Sequence, residues 1–302
     1  MIVAMFPGQG SQVVGMGAAL ADVFPTARRT FEEADDVLGY ALSAICFEGP
    51  ADRLTETDVC QPALVAASTA AFRVAREEAG LEPGMVIGHS LGEYSALVAA
   101  GAMAFDEALR IVAERGAAMR AAGAATPGAM AAVIGLDDDA VRALAVEAGD
   151  VWPANYNCPG QVVVSGTVAA IDRLLAIAGD HGGRATRLVV DGAFHSPLVA
   201  AAADRLAPAL DAWEPGPVDP PFLSTTTVAL EPPERLRDVL IDQVTSPVRF
   251  GDAVQAAIDM GAARFVEVGP GRVLSGLVRR VQRRTSVEQV AEPADVAALP
   301  AA

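Results

Sequence analysis

Short apolar runs alternate along the chain with stretches in which aliphatic residues recur every three or four positions. The runs are IVAMF, MVIGH, PFLSTT and RFVEVG, and the helical stretches include QPALVAASTAAFRVAREEAG, FDEALRIVAERGAAMRAAG and HSPLVAAAADRLAPAL. Strands separated by helices are typical of a largely parallel sheet covered by helices. The pattern therefore predicts an α/β fold.

Between residues 126 and 191 the pattern changes. GAMAAVIGL predicts a strand, DDDAVRALAVEAG a helix, WPANYN and QVVVSG two strands, TVAAIDRLLAIAGDHG a helix and RATRLVV a strand. The order βαββαβ is that of the ferredoxin-like split unit. We therefore predict a small ferredoxin-like subdomain over residues 125–192, inserted in a core formed by residues 1–124 and 193–285. The Ala- and Pro-rich segment 286–302 is expected to be a disordered tail.

Composition fits a large globular core, with 52% hydrophobic and 20% charged residues among 302. Cys46, Cys60 and Cys158 are odd in number and have no CxxC spacing, which favours buried thiols over disulfides or a zinc site. The first residues carry no basic segment and reach Pro7 and Gly8 after a short apolar run. This start fits neither a secretory signal nor a membrane span, so we expect a cytoplasmic location.

Charge narrows the chemistry further. The chain has no lysine, so its 22 basic residues are arginines, which excludes a pyridoxal Schiff base, a lysine base and a Walker-type phosphate loop. A net charge of -16 disfavours nucleic acid and anionic membranes as partners. The stretch RRVQRR, with Arg279, Arg280, Arg283 and Arg284, is either a solvated helix end or a basic patch for an acidic partner.

The sequence VIGHSLGEYSALVAAG leaves two interpretations of Ser90. It is either a nucleophile on a sharp turn or an ordinary serine that begins a helix. An apolar strand, MVIGH, precedes it and a helical pattern follows it, which is the context of a G-x-S-x-G elbow. We therefore predict that Ser90 is a nucleophile.

A serine hydroxyl needs a base within hydrogen-bond reach. His89 should point to the opposite face of its strand from Ser90, and His181 lies in the polar turn GDHGG. Elimination leaves His195, in DGAFHSPL, although a structural histidine at a helix start is the alternative. No acid stands out as a third member, and a backbone carbonyl can orient an imidazole, so we favour a Ser/His dyad.

Motifs spread over nearly the whole chain resemble one family. They are FPGQGSQ, QPAL, GHSLGEYSALVAAG, ERGAAM, NCPGQVVVSG, AFHS, SPVRF and EVGPGRVLSGL, in family order. They resemble the malonyl-CoA:acyl-carrier-protein transacylases of fatty-acid synthesis and the acyltransferases of polyketide synthases. The resemblance implies an α/β-hydrolase-like core with an inserted ferredoxin-like subdomain. It also implies malonyl transfer from malonyl-CoA to the phosphopantetheine thiol of an acyl carrier protein, with no bound metal or redox cofactor.

Position by position, the resemblance implies roles at the reacting centre. Ser90 would be acylated and His195 would be its base. The backbone N–H groups of Gln9 and Leu91 would form the oxyanion hole, a contribution of about 3 to 4 kcal/mol per donor. A backbone carbonyl at Arg249, in SPVRF, would hold the imidazole.

Further residues are implied as substrate-binding. Arg115 would form a two-pronged pair with the malonyl carboxylate, and Met119 would lie four residues along the same helical face. Gln61, in QPAL, belongs to the same set. Asn157 would line the site or, equally, support the CPG turn.

Two positions indicate which substituent on the malonyl group the site accepts. Leu91 and Phe194 resemble the malonyl-selecting pattern, whereas methylmalonyl-selecting relatives usually carry glutamine and serine. Rejection of one methyl group by sterics is worth only about 1 to 3 kcal/mol. One departure is Gly192, which stands where polyketide relatives often have histidine.

Two other functions stay open at this stage. An acyl-thioester hydrolase of the same architecture would act on carrier-bound chains, but Arg115 argues against it. A non-catalytic carrier-binding module would not need both Ser90 and His195. A dinucleotide-binding enzyme is disfavoured because GQGSQVVG lacks the G-x-G-x-x-G spacing.

Overall fold

The computed structural model describes residues 1–190 and 192–300. One of its two sheets is built from four parallel strands: β1 (Ile2–Phe6), β2 (Met85–Gly88), β7 (Arg264–Val268) and β8 (Ser286–Val290). They lie in the order β2-β1-β7-β8. β1 and β2 are almost wholly buried, which is why they read as continuous apolar runs.

Helices cover both faces of this sheet, because successive side chains of β1 point to opposite sides. Val3 and Met5 pack in one cluster with α12 (Phe250–Asp259) and α13 (Val273–Val281), whereas Ala4 and Phe6 pack in another with α5 (Thr57–Ala79) and α7 (Phe105–Ala125). The helices of the core are α1 (Ala18–Val23), α2 (Pro25–Leu38), α3 (Leu42–Glu48), α4 (Ala51–Thr55), α5 (Thr57–Ala79), α6 (Gly92–Ala99), α7 (Phe105–Ala125), α10 (Ala200–Asp211), α11 (Leu236–Asp242), α12 (Phe250–Asp259), α13 (Val273–Val281) and α14 (Pro293–Ala298). Two short 3-10 turns, Pro197–Val199 and Pro233–Arg235, precede α10 and α11.

A second, antiparallel sheet forms the small subdomain. Its elements in chain order are β3 (Gly128–Ile134), α8 (Asp138–Ala148), β4 (Val151–Cys158), β5 (Gln161–Thr167), α9 (Val168–Ile177) and β6 (Arg184–Arg187). The strand order is β4-β5-β3-β6. The predicted βαββαβ unit and the α/β class are therefore confirmed. All six elements lie inside the predicted segment 125–192, whose two limits stay a prediction.

The two faces of the small sheet have different neighbours. On β3, Ala131 and Val133 pack against α8 and α9 in the core of the subdomain. Met130 and Ala132 alternate with them and point to the other side, where they line a cavity shared with the parallel sheet. The alternation of a strand thus makes one face of this sheet a core and the other a cavity wall.

Two sequence-based predictions need correction. The expected disordered tail over 286–302 is wrong for its described part, because β8 pairs with β7 in parallel register and α14 follows. Arg264 and Glu288 form an ion pair across these strands, a contact that composition does not reveal. PFLSTT is not a regular strand: it adds single bridges, one of them between Phe222 and Val86.

The cysteine prediction also has a structural outcome. All three cysteines are buried and free. Within the described ranges, no helix combines the length and the apolar character that a bilayer crossing requires.

Candidate active site

Ser90 lies on the turn between β2 and α6. Its φ of 51° is in the left-handed region, which is unfavourable for a residue with a side chain. A Cβ on Gly88 would lie 2.1 Å from the backbone nitrogen of Glu93, and a Cβ on Gly92 would lie 2.0 Å from the carbonyl oxygen of Phe6. Glycine at both positions therefore lets the helix pack closely on the strands while the serine projects from the turn.

His195 is the hydrogen-bond partner of this serine. The Oγ of Ser90 lies 2.8 Å from Nε2 of His195. Nδ1 of His195 faces two backbone carbonyls, 2.9 Å from that of Gln243 and 3.1 Å from that of Ser246. Because carbonyls only accept, Nδ1 carries the proton and Nε2 is free to accept the proton of the serine hydroxyl.

The backbone carbonyl that holds the imidazole is not the one expected. The resemblance places it at Arg249, but the structure places it at Gln243, with Ser246 as a second partner. Arg249 lies just before α12, and its half-exposed side chain pairs with Asp252 at 2.8 Å. Any residue supplies a carbonyl, so its chain position has no signature in the side chains.

His195 is poised as a base by its surroundings. Burial lowers the pKa of His195 from 6.5 to about 3, with a further contribution from the charge of Arg115. The two hydrogen bonds between Nδ1 and the backbone carbonyls oppose this decrease in pKa but do not outweigh the desolvation. The imidazole is consequently neutral at physiological pH, the state in which it can take a proton.

Arg115 brings a buried positive charge to the same place. Its side chain is only 1% exposed, and it projects from α7 across the ring of Tyr94 at 5.7 Å. Nη1 donates to Oε1 of Gln61 at 2.9 Å, and Nη2 donates to Oε1 of Gln243 at 3.0 Å and to Oγ of Ser90 at 3.3 Å. These partners are neutral. Among residues 1–190 and 192–300, no carboxylate forms an ion pair with it.

A cavity of about 250 Å³ opens over these groups. Its lining is polar where it meets the parallel sheet, with Ser90, Arg115 and His195. The small subdomain contributes the apolar side chains of Met130 and Val163 to the lining, together with polar residues such as Asn157. A guanidinium with no acidic partner at the end of such a cavity attracts a ligand that carries a carboxylate.

Phe194 narrows the cavity from the side of the returning chain. The residue is 5% exposed and lines the cavity next to His195. A Cβ on Gly192 would lie 2.8 Å from the ring of Phe194. The glycine at position 192 therefore leaves room for the phenylalanine ring, which gives this sequence departure a physical reason.

Two backbone donors face the cavity from opposite segments. Gln9 and Leu91 both line it, and no hydrogen bond from either N–H is found within the described chain. The segment of Gln9 comes close because a Cβ on Gly8 would lie 2.4 Å from the carbonyl oxygen of His89. Two such N–H groups are what an oxyanion hole requires, and this role of Gln9 and Leu91 stays a prediction.

Comparison with known proteins supplies the family. The model of the acyl transferase domain matches residues 3–299. The chain is 43% identical to the malonyl CoA-acyl carrier protein transacylase of Bacillus subtilis (strain 168) over 97% of this chain and 94% of that protein, and 41% identical to that of Escherichia coli (strain K12) over 97% of each. A malonyl-transacylase solved in complex with its type II PKS acyl-carrier protein superposes with a TM-score of 0.94, at 41% identity and over 98% and 97% of the two chains.

The chain belongs to this family of acyltransferases. The resemblance seen in the sequence motifs is therefore confirmed. The likeness to the solved transacylase also covers both sheets, so the inserted antiparallel subdomain is part of the family's fold.

The other residues that the transacylase resemblance singles out lie around the cavity. Met119 lines it, and its Sδ accepts a hydrogen bond from Nε2 of Gln61 at 3.3 Å. Gln61 itself does not line the cavity but holds Arg115. Asn157 lines the cavity and its Oδ1 lies 2.9 Å from Nε2 of His89, so it supports a neighbour of the serine as well.

The remaining histidines do not contact the hydroxyl of Ser90. His89 lines the cavity beside Ser90, but its Nε2 faces Oδ1 of Asn157, and desolvation lowers its pKa. His181 lies at the surface, 3.0 Å from Glu147. Elimination by strand direction and turn composition therefore separated these residues from His195.

Sequence reasoning missed two residues of the site. Gln243 contacts both Arg115 and the backbone of Ser90, and Glu93 contacts Gln243 from beneath the turn. Gln243 has no motif of its own and lies 128 to 153 positions from these three partners. Glu93 had a usable signal, because it is a single acid in the first turn of an otherwise apolar and small-residue helix, GEYSALVA.

The arginine stretch begins at the end of a helix that lines the cavity. Val273, Leu274 and Leu277 of α13 line the cavity, and Nη1 of Arg280, at the end of this helix, donates to Oε1 of Gln161 at 3.2 Å. The solvated-end and partner-binding interpretations of Arg279, Arg280, Arg283 and Arg284 both remain, but the position favours a partner that delivers substrate to the cavity.

Proposed function

We propose that this chain transfers a malonyl group from malonyl-CoA to the phosphopantetheine thiol of an acyl carrier protein, in fatty-acid or polyketide synthesis. The observation that carries the proposal is the buried guanidinium of Arg115, which has no acidic partner within residues 1–190 and 192–300 and lies 3.3 Å from the Oγ of Ser90. An acyl group with a terminal carboxylate, attached to that oxygen, would place its charge on the guanidinium. The malonyl group has this length and charge.

In the first step Ser90 is the nucleophile. Its Oγ attacks the thioester carbonyl of malonyl-CoA while its proton passes to Nε2 of His195. The backbone N–H groups of Gln9 and Leu91 stabilise the negative oxygen of the tetrahedral intermediate. Collapse of the intermediate breaks the carbon–sulfur bond, and the leaving thiolate takes the proton from the imidazolium.

In the second step the carrier's thiol replaces coenzyme A. Its proton passes to Nε2 of His195, and its sulfur attacks the ester carbonyl of malonyl-Ser90. The carbon–oxygen bond breaks and the Oγ of Ser90 recovers the proton. Arg115 keeps the acyl chain in place throughout, and the occupied cavity excludes water from the ester.

The cavity also supports a preference for an unsubstituted malonyl group. Phe194 and Leu91 line it close to the serine, so a methyl branch on the acyl chain would meet the phenylalanine ring. The polar contacts of Arg115 are the same for malonyl and methylmalonyl groups. The preference therefore rests on sterics alone, worth about 1 to 3 kcal/mol.

Two experiments test the assignment. Mass spectrometry of the chain mixed with malonyl-CoA is expected to show one malonyl group on the peptide that contains Ser90, and labelling of any other residue would overturn the nucleophile. Replacing Arg115 by alanine is expected to lower malonyl acylation by about 100-fold or more while acetyl acylation is largely spared, because two hydrogen bonds to a charged group are lost. Equal losses for both donors would overturn the role of Arg115, and release of free malonate in place of transfer would indicate a hydrolase.

The setting of the reaction is part of the proposal. Every step is an acyl transfer between a thioester and a hydroxyl, so the mechanism is complete without a bound metal or redox cofactor. Three free thiols agree with a reducing compartment, which supports a cytoplasmic location. Nucleic acid and membrane are not expected as partners, given the net charge of -16.

A further inference from the structure

A buried acid beneath the serine turn has no part in the proton transfers. Glu93 is fully buried in the first turn of α6. Its Oε1 accepts from the backbone N–H of Thr225 at 2.6 Å, from the hydroxyl of that residue at 2.9 Å and from the hydroxyl of Ser224 at 3.1 Å. Its other oxygen, Oε2, accepts from Nε2 of Gln243. Burial raises the pKa of Glu93, and these donors oppose the rise.

Gln243 connects this acid with the reacting groups. Its Nε2 donates to Glu93 and also to the carbonyl oxygen of Ser90 at 3.1 Å. Its Oε1 accepts from Nη2 of Arg115 at 3.0 Å, and its backbone carbonyl accepts from Nδ1 of His195. An amide has two unlike ends, so the side that faces Glu93 decides which end faces the guanidinium.

We propose that Glu93 is a positioning residue that holds the Gln243 amide with its oxygen toward Arg115, and so aims the guanidinium at the acyl carboxylate. The inference rests on the proposed function. The amide also acts as a spacer: it joins the acid to Arg115 without a direct ion pair. A carboxylate in direct contact would occupy the guanidinium that the substrate's carboxylate needs.

An isosteric change of Glu93 reverses this orientation. In Glu93→Gln the backbone N–H of Thr225 can only donate, so the new amide must place its oxygen there and its NH₂ toward Gln243. Two NH₂ groups then face each other, and the Gln243 amide has to turn over. Its NH₂ end would then meet the guanidinium of Arg115, which also only donates. The guanidinium loses an acceptor and its fixed position.

The test compares two acyl donors that differ in the distal carboxylate. In steady-state transfer to a carrier protein, Glu93→Gln is expected to lower kcat/KM for malonyl-CoA about tenfold relative to acetyl-CoA, mainly through a higher KM. The rate at which phenylmethylsulfonyl fluoride labels Ser90 is expected to stay within about twofold of the parent, because this reagent carries no carboxylate. A role limited to folding would instead lower both donors and the labelling together.

Matched variants complete the design. Glu267→Gln makes the same change at another buried acid, which accepts hydrogen bonds from the backbone N–H groups of Leu274 and Ser275 and does not contact Gln243. It is expected to leave the ratio of kcat/KM for malonyl-CoA and acetyl-CoA unchanged. Gln243→Met keeps the backbone carbonyl for His195 and removes the side-chain amide, so it should shift the ratio in the same direction as Glu93→Gln. If Glu93→Gln does not fold, the result for Gln243→Met tests the inference. An unchanged malonyl-to-acetyl ratio in the variants of Glu93 and Gln243 would overturn the inference. Absence of malonyl transfer by the parent chain would overturn the proposed function instead.

Discussion

The dependence of the reaction rate on pH below neutrality tests the environment of His195 directly. Burial and the charge of Arg115 lower the pKa of this imidazole from 6.5 to about 3. A base must be unprotonated to act, so the lowered pKa extends its active form to lower pH. We predict that kcat/KM for acylation by malonyl-CoA shows no decrease near pH 6.5 that arises from this histidine.

The same shift predicts how stability depends on pH. Above pH 6.5 the imidazole is neutral in both the folded and unfolded chain, so this group contributes no pH dependence. Below pH 6.5 the imidazole binds a proton in the unfolded chain but not in the folded chain. The free energy of unfolding therefore decreases as the pH falls towards about 3. The full loss is about 5 kcal/mol at 1.36 kcal/mol per pH unit, and about 2 kcal/mol of it falls between pH 6.5 and pH 5.

The assay compares the parent with His195→Asn in urea unfolding at pH 7 and pH 5. Asparagine does not titrate, and it tolerates the positive φ of 57° at this position better than other replacements. His89, whose pKa is lowered by desolvation, is present in both chains, so its contribution cancels. The parent should lose about 2 kcal/mol more than the variant on acidification. Equal losses, or a kcat/KM that halves near pH 6.5 in the parent, would show that the imidazole is solvated and refute the reasoning.

Three other predictions address selectivity, carrier binding and the serine turn. Phe194→Ser should reduce the preference for malonyl-CoA over methylmalonyl-CoA about 10- to 100-fold in competition assays, and an unchanged ratio would exclude the ring as the steric barrier. Arg280→Glu should raise the KM for the carrier protein about tenfold at low salt with kcat unchanged, whereas Arg76→Glu, at an arginine that pairs with Glu82 rather than with a residue of the cavity lining, should not. Gly92→Ala should destabilise the fold by more than about 2 kcal/mol in thermal or urea unfolding, because its Cβ would lie 2.0 Å from the carbonyl oxygen of Phe6. Gly276→Ala, on the exposed face of α13, should stabilise the fold by about 0.5 to 1 kcal/mol, since no atom of the described residues lies within 4 Å of its Cβ. Similar effects of the two substitutions would contradict the close approach at Gly92.

The parts of the fold that follow from local pattern were predictable. β3 and β5 are short, largely buried apolar runs, and α8 and α9 have N-caps, Asp137 and Thr167, whose side chains accept a backbone hydrogen bond. These signals lie within a few residues of each other. They are sufficient to predict the βαββαβ order from the amino-acid sequence alone.

The parts that depend on distant contacts were not predictable. β8 is half-exposed and polar in three of its five residues, SVEQV, and becomes a strand because β7 offers it a parallel edge. Its composition resembles that of a tail, and α14 is short. Pairing with a strand about 20 residues away therefore decides a structure that neither propensity nor periodicity of the segment indicates.

The candidate site shows the same division between local and distant signals. Gly88, Ser90 and Gly92 form a local pattern because the turn itself needs them. Gln243 is placed by contacts with Ser90 and Glu93, 153 and 150 positions away. A glutamine within DQVTS has many ordinary explanations, and only the folded chain shows that its amide and its carbonyl serve two different groups of the site.

The cavity wall formed by β3 follows from the pattern of apolar residues in this strand, although no sequence motif marks it. Along β3, Ala129, Ala131 and Val133 face the helices of the subdomain, and Met130 and Ala132 face the serine. A strand that is apolar at every position is packed against apolar residues on both of its faces. The sequence GAMAAVI therefore already implies that the face turned away from the subdomain's helices is covered as well. Ser90 follows the carboxyl end of β2 in the parallel sheet, and the inserted sheet adds Met130 and Ala132 of β3 to the wall of the same cavity. The inserted sheet therefore completes a site whose reacting groups belong to the core.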